Sequence, residues 1–239
     1  MTLDQKIQQF FVQFACRIPI RKELTAAEKN ALENTLKTLD PELFQLPDGS
    51  LKNSPVLFQV VRQYVIDAIT ITVPSFVLSN DGIALIHPVK VNKKVFIKSA
   101  SLLDTAQLNS NMSRILTEIQ QTVSGLRYQR AGKIFDLILG PFSSTDKEDI
   151  FRKLFSFKVS DVGEIQFSFA RYLEIDKKVY NIKTSLQFQQ LDLQDAFQLS
   201  IKVDINNRQL TDSSLEPIQV QQIWKKADEI IHEHLAQYL

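Results

Sequence analysis

Residues 164 to 205 carry the most constraining pattern in this sequence, an alternation of apolar and polar side chains over three successive segments. The apolar positions of the first segment are Ile165, Phe167, Phe169, Leu173 and Ile175. Two further segments alternate in the same way around Leu186 and Ile201. Such alternation predicts strands with one buried and one wetted face, which antiparallel sheets allow. The segments therefore predict an antiparallel meander whose apolar face needs a cover.

The end of the chain provides a candidate for that cover. Glu216-Pro217 is typical of a helix start, and apolar residues then recur every three or four positions. These residues are Val220, Trp224, Ala227, Ile231, Leu235 and Tyr238. We expect an α+β fold in which a curved antiparallel sheet packs against this long C-terminal helix.

The middle of the chain predicts more elements of the same kind. Alternation begins near Val65, and turns are expected at Asn80-Asp81-Gly82 and at Asn92-Lys93. A helix is predicted along an apolar stripe from Leu108 to Val123, and a long strand over residues 126 to 139. A short helix is expected to open at Thr145-Asp-Lys-Glu148.

The N-terminal part predicts a helical annex. Apolar residues from Leu3 to Ile18 fit one broad helical face that Pro19 ends, and Thr25-Ala-Ala-Glu28 has the spacing of a capping box for a second helix. Residues 40 to 56 are rich in proline and turn-forming residues, which indicates an irregular connection. The predicted organisation is therefore an annex and linker over residues 1 to 56 and a sheet-and-helix domain over residues 57 to 239.

Composition limits the setting in which the protein works. The net charge is only +1, so partners of strong opposite charge would need a local patch. The single cysteine, Cys16, excludes an intramolecular disulfide and fits a reducing cytoplasm. No apolar run has the length of a membrane helix, which favours a cytoplasmic protein without membrane contact.

Few residues suggest chemistry at an active site. His232 and His234 are two positions apart on a predicted helix, so their side chains diverge, and His87 has no ligand-like neighbour in sequence. The six glycines do not form a phosphate-binding loop, and Cys16 lies on an apolar face. We therefore expect a non-catalytic protein with no metal and no cofactor.

The charge map indicates a basic patch within residues 83 to 133. The predicted patch consists of Lys90, Lys93, Lys94, Lys98, Arg127, Tyr128, Arg130 and Lys133. Such a patch could bind phosphate groups, nucleic acid or an acidic protein surface, with Tyr128 as a stacking surface. Lysines in turns and on edge strands also serve solubility and block unwanted strand pairing, and this second interpretation is the simpler one.

Arg171 interrupts the apolar side of the first alternating segment. If the register holds, its guanidinium points into the apolar layer, where it needs a carboxylate or carbonyl partner or an anionic ligand. A bulge or a position at the sheet edge would instead let the side chain reach water. Arg171 is therefore the candidate ligand-binding residue.

Short motifs give this chain a resemblance to a known family. Gly125-Leu-Arg-Tyr-Gln-Arg-Ala131, the strand Ile134 to Leu139, Val203-Asp204-Ile205, and Asp228, His232 and Tyr238 in the terminal helix carry it. Over about residues 60 to 239 the chain resembles a sporadically distributed family of uncharacterised bacterial proteins. The resemblance implies an α+β fold and a bacterial cytosolic setting, and it transfers no activity.

Four functional hypotheses follow, and the last of them is an enzyme whose active-site residues are dispersed along the sequence. The first is a non-catalytic binding or interaction protein that holds a protein partner, or a second copy, through the N-terminal helices or the wetted sheet face. The second is a carrier for a small anion, with a cavity between sheet and helix and Arg171 as the anchor. The third is nucleic-acid binding through the basic segment 83 to 133.

Overall fold

A computed structural model of the chain describes residues 7–17, 24–39, 44–45, 56–66, 69–79, 82–88, 106–123, 128–154, 164–191, 196–208 and 214–236. The strands are β1 (Ile7–Arg17), β2 (Phe44–Gln45), β3 (Val56–Ile66), β4 (Ile69–Ser79), β5 (Gly82–Pro88), β6 (Arg130–Ser143), β7 (Glu164–Ile175), β8 (Lys178–Leu191) and β9 (Ala196–Asn207). The helices are α1 (Ala26–Leu39), α2 (Ala106–Thr122), α3 (Ser144–Leu154) and α4 (Pro217–Ala236). The predicted turns at Asn80-Asp81 and Asn92-Lys93 lie outside these residues.

The described strands form one antiparallel sheet in the order β2-β3-β4-β5-β1-β6-β9-β8-β7. Its last three strands are the alternating segments, and their apolar residues meet across the ladder, as in Phe167 opposite Leu186 and Leu186 opposite Ile201. Leu186 and Ile201 are buried on the face that the alternation assigns to the core. The predicted α+β fold with an antiparallel sheet is confirmed.

The C-terminal helix covers that face. Helix α4 packs against β6, β9 and α2, and its residues Val220, Trp224 and Ala227 are fully buried. The Trp224 ring meets the Phe14 ring of β1 edge-on, with 5.0 Å between the ring centres. Alternation in the strands and the three-to-four periodicity in the helix thus bury one continuous core.

The N-terminal segment corrects a prediction. Residues 7 to 17 form strand β1 instead of the first predicted helix, and β1 lies inside the sheet between β5 and β6. The buried residues Val12, Phe14 and Cys16 are two apart, so the segment satisfies a strand period as well as a helical stripe. Two neighbouring strands supply partners for its backbone, and this tertiary pairing decides the outcome. The prediction of a helical annex is wrong for this segment, and the sheet crosses the expected boundary at residue 56.

The second predicted helix is confirmed together with its cap. The Thr25 backbone N–H donates to Glu28 Oε2 at 2.9 Å, and the Glu28 N–H donates to Thr25 Oγ1 at 3.2 Å. Helix α3 has the same reciprocal cap two residues earlier than expected, because the Asp146 N–H donates to Ser143 Oγ at 3.2 Å. Within the described residues, no helix is both long and apolar enough to cross a membrane.

Candidate functional site: the edge strand β7 and the charges behind it

Strand β7 is the last strand of the sheet. It pairs with β8 from Glu164 opposite Gln189 to Ile175 opposite Lys178, and the register never shifts. No described strand lies on its other side. Its second edge therefore presents an uninterrupted row of backbone donors and acceptors within the part of the chain that the structure describes.

The turn between β7 and β8 determines which backbone groups face that open edge. Asp176 and Lys177 have φ values of 51° and 62°, the left-handed conformation at both central positions of a type I′ hairpin turn. The residues that flank such a turn, Ile175 and Lys178, form a hydrogen-bonded pair, and pairing alternates from there. Odd-numbered residues of β7 thus bond to β8, whereas even-numbered residues direct their N–H and C=O groups outward.

Side chains of those even-numbered residues are all exposed. They are Glu164, Gln166, Ser168, Ala170, Tyr172 and Glu174. The Tyr172 side chain is 59% exposed, and the Arg208 guanidinium lies 4.4 Å from the centre of its ring. On the opposite face of the same strand, Phe169 is 39% exposed. The edge thus offers aromatic surface on both faces beside its outward-directed backbone groups.

Arg171 lies on the inner face of β7, as the alternation predicts. It stands opposite Ile182 without a bulge, and its side chain is half-buried. Its Nε atom is buried and has no hydrogen-bond partner among the described residues. A position on the edge strand explains how the charge is tolerated, because the rest of the guanidinium can reach water.

A buried histidine lies close enough to Arg171 for the charge of the guanidinium to affect its pKa. His234 of α4 and Thr184 of β8 are both fully buried, and His234 Nε2 is 2.7 Å from Thr184 Oγ1. Burial, together with the smaller effect of the neighbouring Arg171 charge, lowers the pKa of His234 to about 4. The ring is therefore neutral near pH 7, and the hydroxyl of Thr184 provides its hydrogen bond.

Lys133 corrects the predicted basic patch. Its side chain is fully buried, and Nζ lies 2.7 Å from both carboxylate oxygens of Asp228 on α4. The Asn109 amide of α2 donates to Asp228 Oδ2 at 2.8 Å, and the Phe14 ring centre lies 4.4 Å from Nζ. Desolvation lowers the pKa of Lys133 to about 8 although Asp228 opposes that shift. Lys133 is a core residue, so its prediction as part of a basic surface patch is wrong.

Tyr128 also leaves the predicted patch. Its ring is fully buried, and its hydroxyl donates to the Leu116 carbonyl oxygen at 2.7 Å, so it cannot stack on a nucleobase. Arg130 remains exposed, and its Nε donates to Asn206 Oδ1 at 3.0 Å. Lys90, Lys93, Lys94, Lys98 and Arg127 lie outside the described residues.

The periodicity of the sequence indicates the buried positions of Lys133 and Asp228, which a count of charges along the chain does not reveal. Lys133 has the same odd parity as Phe135, Leu137 and Leu139, so the strand period places it inward. Asp228 lies four residues after Trp224 on the apolar stripe of α4, where a carboxylate needs a buried partner. The edge position of β7 had no comparable signal, since strand order is not contained in a hydropathy pattern.

Neither metal-ligand geometry among the described residues nor comparison with known proteins assigns a function to this chain. In the part of the chain that the structure describes, no three His, Cys, Asp or Glu side chains are grouped to hold a metal ion. Comparison with protein-family models, with curated proteins and with solved structures finds no match. The resemblance to a bacterial family stays a prediction.

Proposed function

We propose that this protein is a non-catalytic protein-binding protein that holds an extended segment of its partner against the open edge of β7. The added segment would continue the sheet by main-chain hydrogen bonds, while side chains beside the edge provide selectivity. The single observation that carries the proposal is an edge strand with an unbroken row of outward-directed backbone groups.

The composition of β7 supports this role. Sheets usually protect an edge by proline, by a bulge or by keeping the edge strand short. Strand β7 contains no proline, shows no register shift against β8 and is 12 residues long. Its one inward-directed charge is the half-buried Arg171.

Substitutions at Ser168 test whether the edge backbone is the binding element. The Ser168 N–H faces away from β8, so Ser168→Pro removes an edge donor and leaves the β7–β8 ladder intact. Ser168→Ala is the matched control, because both variants lose the 3.2 Å hydroxyl contact with Ser185 but only proline loses the N–H. We expect peptides selected from a random library to bind wild type and Ser168→Ala and to fail with Ser168→Pro.

Backbone amide shifts of the labelled protein give the location of binding. The proposal expects the largest changes at the even-numbered residues of β7. Selection of no peptide by a monomeric protein, or binding that moves only amides distant from β7, contradicts it. Equal binding by Ser168→Pro and Ser168→Ala contradicts it as well.

A second candidate function is binding of a small anion at Arg171. One observation favours it, the buried Arg171 Nε without a hydrogen-bond partner among the described residues. Inorganic phosphate or sulfate should then raise the melting temperature of wild type and of Lys183→Gln, an exposed cation on the opposite face, but not of Arg171→Gln. No stabilisation of wild type, or the same stabilisation in Arg171→Gln, rejects this candidate.

A further inference from the structure

Resting on the proposed function, we infer that the segment that pairs with β7 is β7 of a second copy of this chain. The two strands run antiparallel about a two-fold axis at Ala170, so the two sheets join into one. The inference identifies the partner of the edge, whereas the proposed function requires only some extended segment.

Symmetry limits the possible registers. A two-fold axis perpendicular to the sheet keeps the exposed faces of both copies on one side, so opposed residues must share parity. Only two such registers oppose eleven of the 12 residues of β7. One has its axis at Phe169 and spans residues 164 to 174, and the other has its axis at Ala170 and spans residues 165 to 175.

Charge decides between these two registers. The axis at Phe169 places Glu164 opposite Glu174 of the second copy, and symmetry repeats this repulsive pair. The axis at Ala170 opposes no like charges within residues 165 to 175, and it places Gln166 opposite Glu174, where an amide can donate to a carboxylate. Glu164 then falls opposite Asp176, which lies in the turn beyond the end of the ladder. The register at Ala170 is therefore the self-complementary one.

The inner face of this register also fits Arg171. Phe169 of one copy lies opposite Arg171 of the other, twice by symmetry, and Phe167 lies opposite Leu173. These odd-numbered residues form the non-hydrogen-bonded pairs of the new ladder, in which side chains approach most closely. A guanidinium beside an aromatic ring gains a cation–π contact, so the register gives Arg171 a favourable neighbour.

Ala170 allows the close approach at the axis. Its side chain is exposed, and its N–H and C=O face the open edge, so the two copies of Ala170 become a hydrogen-bonded pair. Such a pair has Cα atoms about 5.5 Å apart, which lies within the range that a disulfide spans. Residues 168 of the two copies would be about 14 Å apart in this register, beyond disulfide reach.

Cysteine substitutions test the register directly. Ala170→Cys should form a covalent dimer in mild oxidant, as seen on non-reducing gels, whereas Ser168→Cys should not. Wild type provides the background, because its own Cys16 is buried. Cross-linking of Ser168→Cys in preference to Ala170→Cys overturns the register.

Association in solution tests the dimer itself. Sedimentation velocity of wild type and of the control Ala170→Ser should show a concentration-dependent dimer. Ala170→Lys should be monomeric but folded, since it places two exposed cations together at the axis. A wild type that stays monomeric at all concentrations overturns the inference.

Arg171→Gln tests whether Arg171 supports or prevents the pairing of the two β7 strands. Inward-directed charges on edge strands often prevent pairing, and in that role the loss of the cation would strengthen association. The proposed register expects weaker association of Arg171→Gln, because the two contacts with Phe169 are lost. Stronger association contradicts it.

The two proposals can fail separately. A monomeric wild type that binds library peptides at β7 overturns the dimer and leaves the proposed function standing. A monomeric wild type that binds no peptide overturns both.

Discussion

Two inward-directed cations lie on the same sheet, Lys133 at its centre and Arg171 at its edge. Lys133 is fully buried and ion-paired with Asp228 of α4, with the Phe14 ring beside it. Arg171 is half-buried, has no ion pair among the described residues and lies on the last strand. The same strand period places both inward, and the neighbours of each strand decide their energetic roles.

The position of a strand in the sheet determines how much free energy a buried charge costs. On β6, strands on both sides and α4 above exclude water, so the cation requires a carboxylate in contact. On β7, one side of the strand has no described neighbour, so solvent substitutes for a counter-charge. Substitutions at Lys133 should therefore destabilise the fold strongly, whereas substitutions at Arg171 should have little effect on stability.

Removal of β1 gives the largest expected effect. Deletion of residues 1 to 17 takes out a strand that both β5 and β6 pair with, and it removes Phe14 from contact with Lys133 and Trp224. We expect loss of cooperative thermal unfolding, measured by circular dichroism. A truncated chain that unfolds cooperatively like wild type would show that the centre does not depend on β1.

Breaking the central ion pair is expected to have the next largest effect. Lys133→Met leaves Asp228 buried without its cation and should lower the free energy of unfolding by about 3–5 kcal/mol in urea denaturation. The double variant Lys133→Met with Asp228→Leu should recover most of that loss, because it leaves no buried charge. If the double variant is as unstable as the single one, packing and not charge accounts for the loss.

The lowered pKa of His234 predicts that the free energy of unfolding depends on pH. Its folded pKa of about 4 lies below the usual 6.5, so between these values the unfolded chain binds a proton that the folded chain does not. The free energy of unfolding should therefore fall as pH decreases through this window. His234→Gln should show a shallower fall in urea denaturation at pH 7, 6, 5 and about 4.

The control for this prediction is Arg171→Ala. Loss of the nearby cation should let the pKa of His234 rise toward its usual value and shrink the acid sensitivity. An unchanged pH profile in both variants would assign the acid sensitivity to other groups.

Substitution of the edge cation should have the smallest effect on the fold. Arg171→Ala should change the free energy of unfolding at pH 7 by less than about 1 kcal/mol, because the side chain is half-buried and lacks an ion pair among the described residues. Urea denaturation beside Lys133→Met measures the contrast. A loss as large as that of Lys133→Met would mean that centre and edge do not differ.

The sequence predicts those parts of the fold that have one dominant period. The alternation around Leu186 and Ile201, the stripe of α4 and the Thr25–Glu28 cap are local patterns, and the structure contains all three. Residues 7 to 17 satisfy two periods, so only pairing with β5 and β6 makes them a strand.

The candidate site is less predictable for a physical reason. The inward direction of Arg171 follows from parity, but its exposure depends on β7 being last in the sheet, a property of strand order. Counting charges along the chain placed Lys133 and Tyr128 on a surface patch, whereas their backbone geometry turns both into the core. Charge composition alone does not indicate whether a side chain points into the core or toward solvent.

The place of β1 has a consequence for synthesis of the protein. This strand leaves the ribosome long before one of its two partners, β6, which begins only at Arg130. During translation of the intervening residues, Val12 and Phe14 cannot reach their final neighbours, and closure of such distant contacts slows folding. The nascent chain must therefore keep this apolar segment from aggregating until β6 has been made.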